Sequence, residues 1–340
     1  MKIALISTTI NAPKVYALYR AFGPDVEIIV TGDRKTPHDE LRQALKPIGV
    51  RYLDCADQEK LGAACSEVIG WNSVQRRNIA LLEALRTGAQ IVVTVDDDNI
   101  PLDASYFSTF ERILTQPFNG LSVGTETNWF DVGGMLQPVA PHRGFPVSRR
   151  RQDQGATFCP AVGAKIGVAA GLWLGDPDTD AMTRITDRPN ILQASDALKV
   201  GIVVAPGCFT PFNSQNTAYS AEIAPLMAMW INVGRYDDIW ASYFAERIMM
   251  ETGHRVHFGP PLVWQQRNQH DLLRDVQEEA LGDRHTEQFV QDLLDADVGR
   301  GSVLEMMRRL FDHITRKDYV PAPMKRLAPA WCADVERVAG

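Results

Sequence analysis

The chain carries a run of β-branched apolar residues, Ile91-Val92-Val93-Thr94-Val95, that ends in Asp96-Asp97-Asp98-Asn99, with Pro101 closing the segment. Such a run reads as a strand buried on both faces, the habit of parallel sheets. In open α/β sheets the carboxyl ends of strands face the ligand crevice, so the three acids stand where chemistry is done. Three adjacent carboxylates repel one another. At ~6 Å and an effective dielectric of ~20, each like-charge pair costs roughly 3 kcal/mol. A divalent cation removes that cost, and an Asp-x-Asp at a strand end suits Mg²⁺ or Mn²⁺. A solvated acidic turn is the plain alternative, but surface turns rarely follow so apolar a strand.

The remaining composition narrows the partners. A net charge of −7 argues against general affinity for nucleic acid or an anionic membrane surface, so an anionic substrate must meet local cations or a metal. The five cysteines, Cys55, Cys65, Cys159, Cys208 and Cys332, are scattered without a C-x-x-C, which fits reduced thiols rather than a disulfide frame or zinc site. The apolar run Ile3–Ile6 is too short for a signal peptide, and no stretch is long enough to span a bilayer. A cytoplasmic protein is expected, and self-association into homo-oligomers is left open.

Read in order, Lys2–Ile6 is a first strand, Lys14–Phe22 a helix and Val26–Val30 a second strand. That βαβ opening predicts an α/β fold with a mostly parallel sheet flanked by helices. The loops after the two strands carry Thr8, Thr9, Asn11 and Asp33, which can hydrogen-bond a base and ribose. Ser73–Leu85 reads as an amphipathic helix, with Arg76 on a solvated face and Arg77 a candidate ligand contact. Leu121–Gly124 is a short strand, and Asn128–Gly171 reads as one long irregular excursion. Inside it, His142–Arg151 holds four arginines around Gly144-Phe145-Pro146, a fixed turn suited to clamping a diphosphate or sugar.

Asp176, Asp178 and Asp180 alternate, but a calcium loop fails because Ala181 stands where glycine is needed. They are left as sugar-pocket acceptors or turn caps. Ile202–Ala205 is a strand leading to Phe209–Thr217, where Asn213 and Asn216 are candidate ligand contacts. Gly234–Trp240, with Asp237 and Asp238, opens a helix through Met250, and acids at a helix start are also what capping alone predicts. His254–Phe258 is a last strand. Residues 266–340 read as a helical C-terminal extension to a 1–265 catalytic domain, with Ser302-Val303-Leu304-Glu305 as a capping box.

Several of these stretches together resemble the reversibly glycosylated polypeptides, the UDP-arabinopyranose mutase family, and bacterial metal-dependent nucleotide-sugar mutases. They are Val95–Asp98, Arg143–Arg150, Gly171–Leu174 with Pro177–Ala181, and Gly234–Trp240, in the same order over roughly residues 1–275. A second likeness, to the plant STELLO proteins, runs through Gly175–Asp178 and Pro211–Thr217. The resemblance implies a GT-A-like, Rossmann-like fold. It implies that Asp96 and Asp98 hold metal and nucleotide, with Asp97 beside them. Arg143 would be the reversibly glycosylated arginine, Arg150 a second functional arginine, and Asp237 and Asp238 would sit beside the sugar. Where the family pattern has a histidine after an aromatic, this chain has Gln265 after Trp264, so Gln265, His270 or water must complete the metal site.

The reading is a metal-dependent (Mn²⁺ or Mg²⁺) mutase that interconverts pyranose and furanose forms of a UDP- or GDP-sugar. No flavin is expected, because the first strand lacks a glycine-rich flavin fingerprint. The rivals are a GT-A glycosyltransferase with an external acceptor and a non-catalytic nucleotide-sugar-binding scaffold.

Overall fold

The computed structural model describes residues 1–339. Twelve strands form among them: β1 Ile3–Thr8, β2 Glu27–Thr31, β3 Arg51–Leu53, β4 Ile91–Val95, β5 Asn99–Pro101 and β6 Phe118–Gly124; then β7 Leu136–Gln137, β8 Thr157–Gly175, β9 Gln193–Ala194, β10 Ile202–Val204, β11 Asn216–Ser220 and β12 His254–Gln265. All but β7 and β9 join one sheet, in the order β3-β2-β1-β4-β11-β8-β6-β10-β12-β5. Its first four strands are parallel, as the βαβ opening requires. The acid-bearing strand β4 lies between β1 and the antiparallel β11, and all five of its residues are buried. The α/β class is therefore as expected.

Beyond β11 the sheet curls. β8 pairs with β6, β6 with β10, β10 with β12, and β12 again with β8, so these four strands close into a ring. That arrangement corrects the expected irregular excursion, whose last third, from Thr157, belongs to the nineteen-residue strand β8. The strand is rich in Ala and Gly, which have low strand propensity, and its identity comes from neighbours on both sides. At Gly171 a Cβ would lie 2.4 Å from the Asn216 carbonyl of β11, so only glycine lets these strands approach. Two smaller expectations are also corrected. Ile100 and Pro101 do not merely end the acid turn but form edge strand β5 on β12, and the short strand at Leu121 extends to Phe118–Gly124.

Arg76 overturns its surface assignment. A single 3-10 turn, Val74–Arg76, precedes the helix Arg77–Arg86, exposing Val74 and turning Arg76 inward. The Arg76 guanidinium bonds Gln58 Oε1 and Ser66 Oγ and lies 4.0 Å over the Trp71 ring.

The helix Asp237–Thr252 is buried along nearly its whole length, the mark of a central core helix. Trp240 stacks on Phe289, and Phe244 on Phe311, from the helices Leu272–Leu294 and Val303–Ile314. The expected capping box of Ser302 and Glu305 starts the second of these. The last helix, Ala322–Ala339, returns to the first part of the chain, where Asp334 accepts from the Ala64 and Cys65 amides. The segment after Gln265 thus helps to bury the helix whose first two residues are Asp237 and Asp238.

Candidate functional site

The carboxyl end of β4 opens onto two adjoining crevices of about 640 and 550 Å³, which share Asp96, Asp98, Arg77 and His270 as common wall. Each acid of the turn faces different donors. Asp96 receives Arg77 Nη2 at 2.5 Å. Asp97 accepts from Thr9 Oγ1 at 2.5 Å, Asn11 Nδ2 at 3.3 Å and Asn268 Nδ2 at 3.3 Å. Asp98 accepts from Gln265 Nε2 at 3.2 Å and the Asn268 amide at 3.1 Å. Burial, then the neighbouring Asp96 charge, pushes the Asp98 carboxyl up to about 7. Apart from Arg77, the donors to these three acids are neutral.

The smaller crevice gathers Thr8, Thr9, Asn11, Asp33 and Asp97. Asp33 already accepts the backbone amides of Arg34, Asn72 and Ser73, so its carboxylate shapes the crevice wall.

The larger crevice holds Arg143, Asp178, Asp237 and Asp238. Arg143 reaches it from the Gly144-Phe145-Pro146 turn. Gly144 takes φ +88° there, and a side chain would strike Ile239. Arg143 is 6% exposed, and nearly every face of its guanidinium is engaged. Nε and Nη2 donate to Asp178 at 2.9–3.1 Å, Nη2 also to Asp238 at 3.1 Å, and Nη1 to the Arg235 carbonyl. Burial alone would lower the Arg143 pKa, but Asp178 and then Asp238 overrule it and hold it well above its ordinary value. Asp178 is buried too, yet Arg143 and then Arg267 hold its carboxyl well below the usual range. Asp237 differs from both: burial, then the Asp238 charge, pushes it up to about 7, and Gln75 Nε2 donates to it at 2.7 Å. This corner thus contains a fixed cation and a carboxyl that exchanges its proton near neutrality.

Four other candidates lie outside the crevice lining. Arg150 pairs with Asp180 at 2.6 Å, where Asp180 caps the helix Ala181–Thr186. Asp176 pairs with Arg184 at 2.5 Å. Asn213 stands behind Asp178 and donates to it at 2.7 Å. Asn216 lies within β11, bonded to Tyr106 and the Leu172 carbonyl. Sequence reasoning missed Gln75, Asn268, Arg235 and Arg267. Two of them carried a visible signal: Arg235 lies inside the Gly234–Trp240 stretch, and Arg267 is a cation two residues beyond the Gln265 departure.

The described residues contain no cluster of three or more His, Cys, Asp or Glu side chains set as metal ligands. His270 is tied by Nδ1 to Asp275 at 3.0 Å, and burial, then Arg267 and Arg235, lowers its pKa. Gln265 fits a cation better. Its Oε1 is buried with no hydrogen-bond partner, on the amide that touches Asp98. A buried carbonyl oxygen without a donor is costly, and a hard cation would satisfy it.

The fold and site define an α/β protein with an acid-ended strand opening on a crevice that also holds a carboxylate-clamped arginine. The chain belongs to the reversibly glycosylated polypeptide family, whose model matches residues 55–312. Among curated relatives, it is similar to UDP-arabinopyranose mutase 3 of Arabidopsis thaliana, with 29% identity over 42% of each chain. It is 32% identical to UDP-arabinopyranose mutase 1 of Oryza sativa subsp. japonica over 36% of this chain and 32% of that one. The matched stretches thus span less than half the length of these relatives. A mannosyltransferase of Pyrobaculum calidifontis, solved with GDP-Man and Mn²⁺, aligns over 99% of this chain and 73% of its own at TM-score 0.42 and 11% identity, too loosely to carry an argument. No helix among the described residues is long and apolar enough to cross a membrane.

Proposed function

We propose that this chain is a metal-dependent, flavin-independent mutase that interconverts pyranose and furanose forms of a nucleotide sugar through a glycosyl group carried on Arg143. The observation that carries the reading is Arg143 itself, clamped by Asp178 and Asp238 in the same crevice as Asp96 and Asp98. The relatives named as UDP-arabinopyranose mutases support the substrate class.

The smaller crevice would take the nucleoside and the larger one the sugar, with the diphosphate between them at Asp96 and Asp98. Asp96, Asp98 and the Gln265 oxygen would hold Mn²⁺ or Mg²⁺, which supplies positive charge against the diphosphate as it leaves. An Arg143 nitrogen attacks C1 as the C1–O bond to the diphosphate breaks. The nitrogen gives one proton to an adjacent carboxylate, and the glycosylated guanidinium keeps its positive charge. Asp238 touches Arg143 directly, and Asp237 beside it holds or releases a proton near pH 7. The carboxylates therefore orient the nitrogen and accept its proton, which a free guanidinium could not shed. While bound, the sugar opens and recloses through another hydroxyl. The diphosphate then attacks C1 and frees Arg143, so no net redox change occurs.

Incubating the protein with UDP- and GDP-sugars and Mn²⁺, with no acceptor, tests this. Furanose product and a sugar-sized mass adduct on the Arg143 peptide, discharged by nucleoside diphosphate, are expected. Slow hydrolysis alone would indicate a transferase, and tight binding without turnover a scaffold.

A further inference from the structure

We infer that Arg267 binds the diphosphate of the nucleotide ligand, an inference that rests on the nucleotide-sugar reading above. Every other arginine in the larger crevice has a carboxylate neighbour besides the shared Asp178. Arg77 holds Asp96, Arg143 holds Asp238, Arg235 holds Glu279 and Arg274 holds Glu278. Arg267 has only Asp178 at 3.1 Å, which Arg143 already occupies, and Asp176 at 4.0 Å, which is committed to Arg184. Its side chain is 6% exposed, and its Nε–H is buried without an acceptor. A buried, under-neutralised guanidinium with an unfilled donor is a site prepared for an anion, and its planar fork suits phosphate oxygens.

Its place in the chain gives the anion an identity. Gln265, two residues before, and Asn268, directly after, both bond Asp98. Arg267 itself bonds Asp178, which clamps Arg143. One short segment therefore joins the acid turn to the Arg143 corner, and a diphosphate leaving toward the acids must cross it. The same segment also lines the nucleoside crevice through Asn268 and Gln269. Arg77 has an equally unpartnered Nε beside Asp96, which adds a second donor at that crossing.

The test is the diphosphate increment in binding, measured by calorimetry with Mn²⁺ present throughout for UDP, UMP and uridine and for GDP, GMP and guanosine. Wild type should prefer the diphosphate to the monophosphate. In Arg267→Gln that preference should fall by about tenfold or more, while nucleoside affinity stays within about twofold. Arg267→Lys, which keeps the charge but not the fork and guards against a misfolded first variant, should recover only part of the preference. A diphosphate-to-monophosphate ratio unchanged in both variants, with nucleotides still bound, would overturn the Arg267 assignment alone. A wild type that binds none of the six ligands would overturn the nucleotide-sugar reading and this inference with it.

Discussion

The two corners of the crevice solve the problem of concentrated charge in opposite ways. Around Arg143, buried cations meet buried carboxylates: Asp178, Asp237 and Asp238 are all under a tenth exposed, and two of them bond the guanidinium. Around Asp96–Asp98, one arginine and several neutral amides and hydroxyls face three acids. Uncompensated negative charge remains at the second corner and almost none at the first. The carboxylates of the Arg143 corner thus find their cations within the chain, with an Arg267 donor to spare, while the acid corner is short of a positive charge that a cation from outside would supply.

That contrast is broken hardest at Arg143. Arg143→Ala strands Asp238 and leaves Asp178 to Arg267 and Asn213, and leaving a buried carboxylate unpaired should lower stability by about 3–5 kcal/mol, read by denaturant unfolding. Turnover and adduct should vanish together. Arg143→Lys should recover part of the stability without the adduct, and a lysine enzyme making furanose at a near-normal rate would refute the covalent role.

Asp98→Asn should do the reverse. Turnover should fall about a thousandfold or more and metal affinity should collapse, because an amide replaces a charged oxygen ligand. Without metal at pH 8, however, the variant should match or exceed wild-type stability, by about 1 kcal/mol after screening of a half-buried group. A large loss of stability would mean that the acid corner is as self-contained as the other.

Removing only the spare oxygen with Gln265→Met should weaken Mn²⁺ binding by about tenfold, or about 1.4 kcal/mol, measured by titration with the metal alone. Unchanged affinity would return His270 or water to that role.

Acidity offers a graded version of the same comparison. With the Asp98 carboxyl at about 7, protons compete with the cation, so metal affinity should rise about tenfold per unit up to pH 7 and then level off. In the metal-free protein the sign is opposite. Asp98 and Asp237 are raised above the ordinary value near 4, so their stabilising contribution is complete below about pH 4. It is lost as pH rises through 7. The melting temperature should therefore fall across that window, and less so in Asp98→Asn.

The smallest effect belongs far from both corners. Asp334→Ala removes the acceptor of the Ala64 and Cys65 amides at a helix start and should cost about 1 kcal/mol, with turnover unchanged. A change in turnover would show that the last helix communicates with the crevice.

The strand Ile91–Val95 and its three acids were legible because burial on both faces and the charge cluster are properties of consecutive residues. The βαβ opening was legible for the same reason, and so was the capping box at Ser302. Arg143 stands out in the sequence as part of a basic run, but the proposal that it acts as a nucleophile rests on family likeness, since an arginine alone is a poor one. Only the tertiary structure decided the rest. β8 exists as a long strand because β6, β11 and β12 pair with its Ala- and Gly-rich stretch. Arg76 is buried because one 3-10 turn rotates it inward. Arg143 and Arg150 are seven residues apart in one basic run, yet only the first lines the crevice. The meeting of Asp178, Asp238 and Arg267 at Arg143 joins residues 35 to 124 positions apart, and no local pattern of propensity or charge encodes contacts at that range.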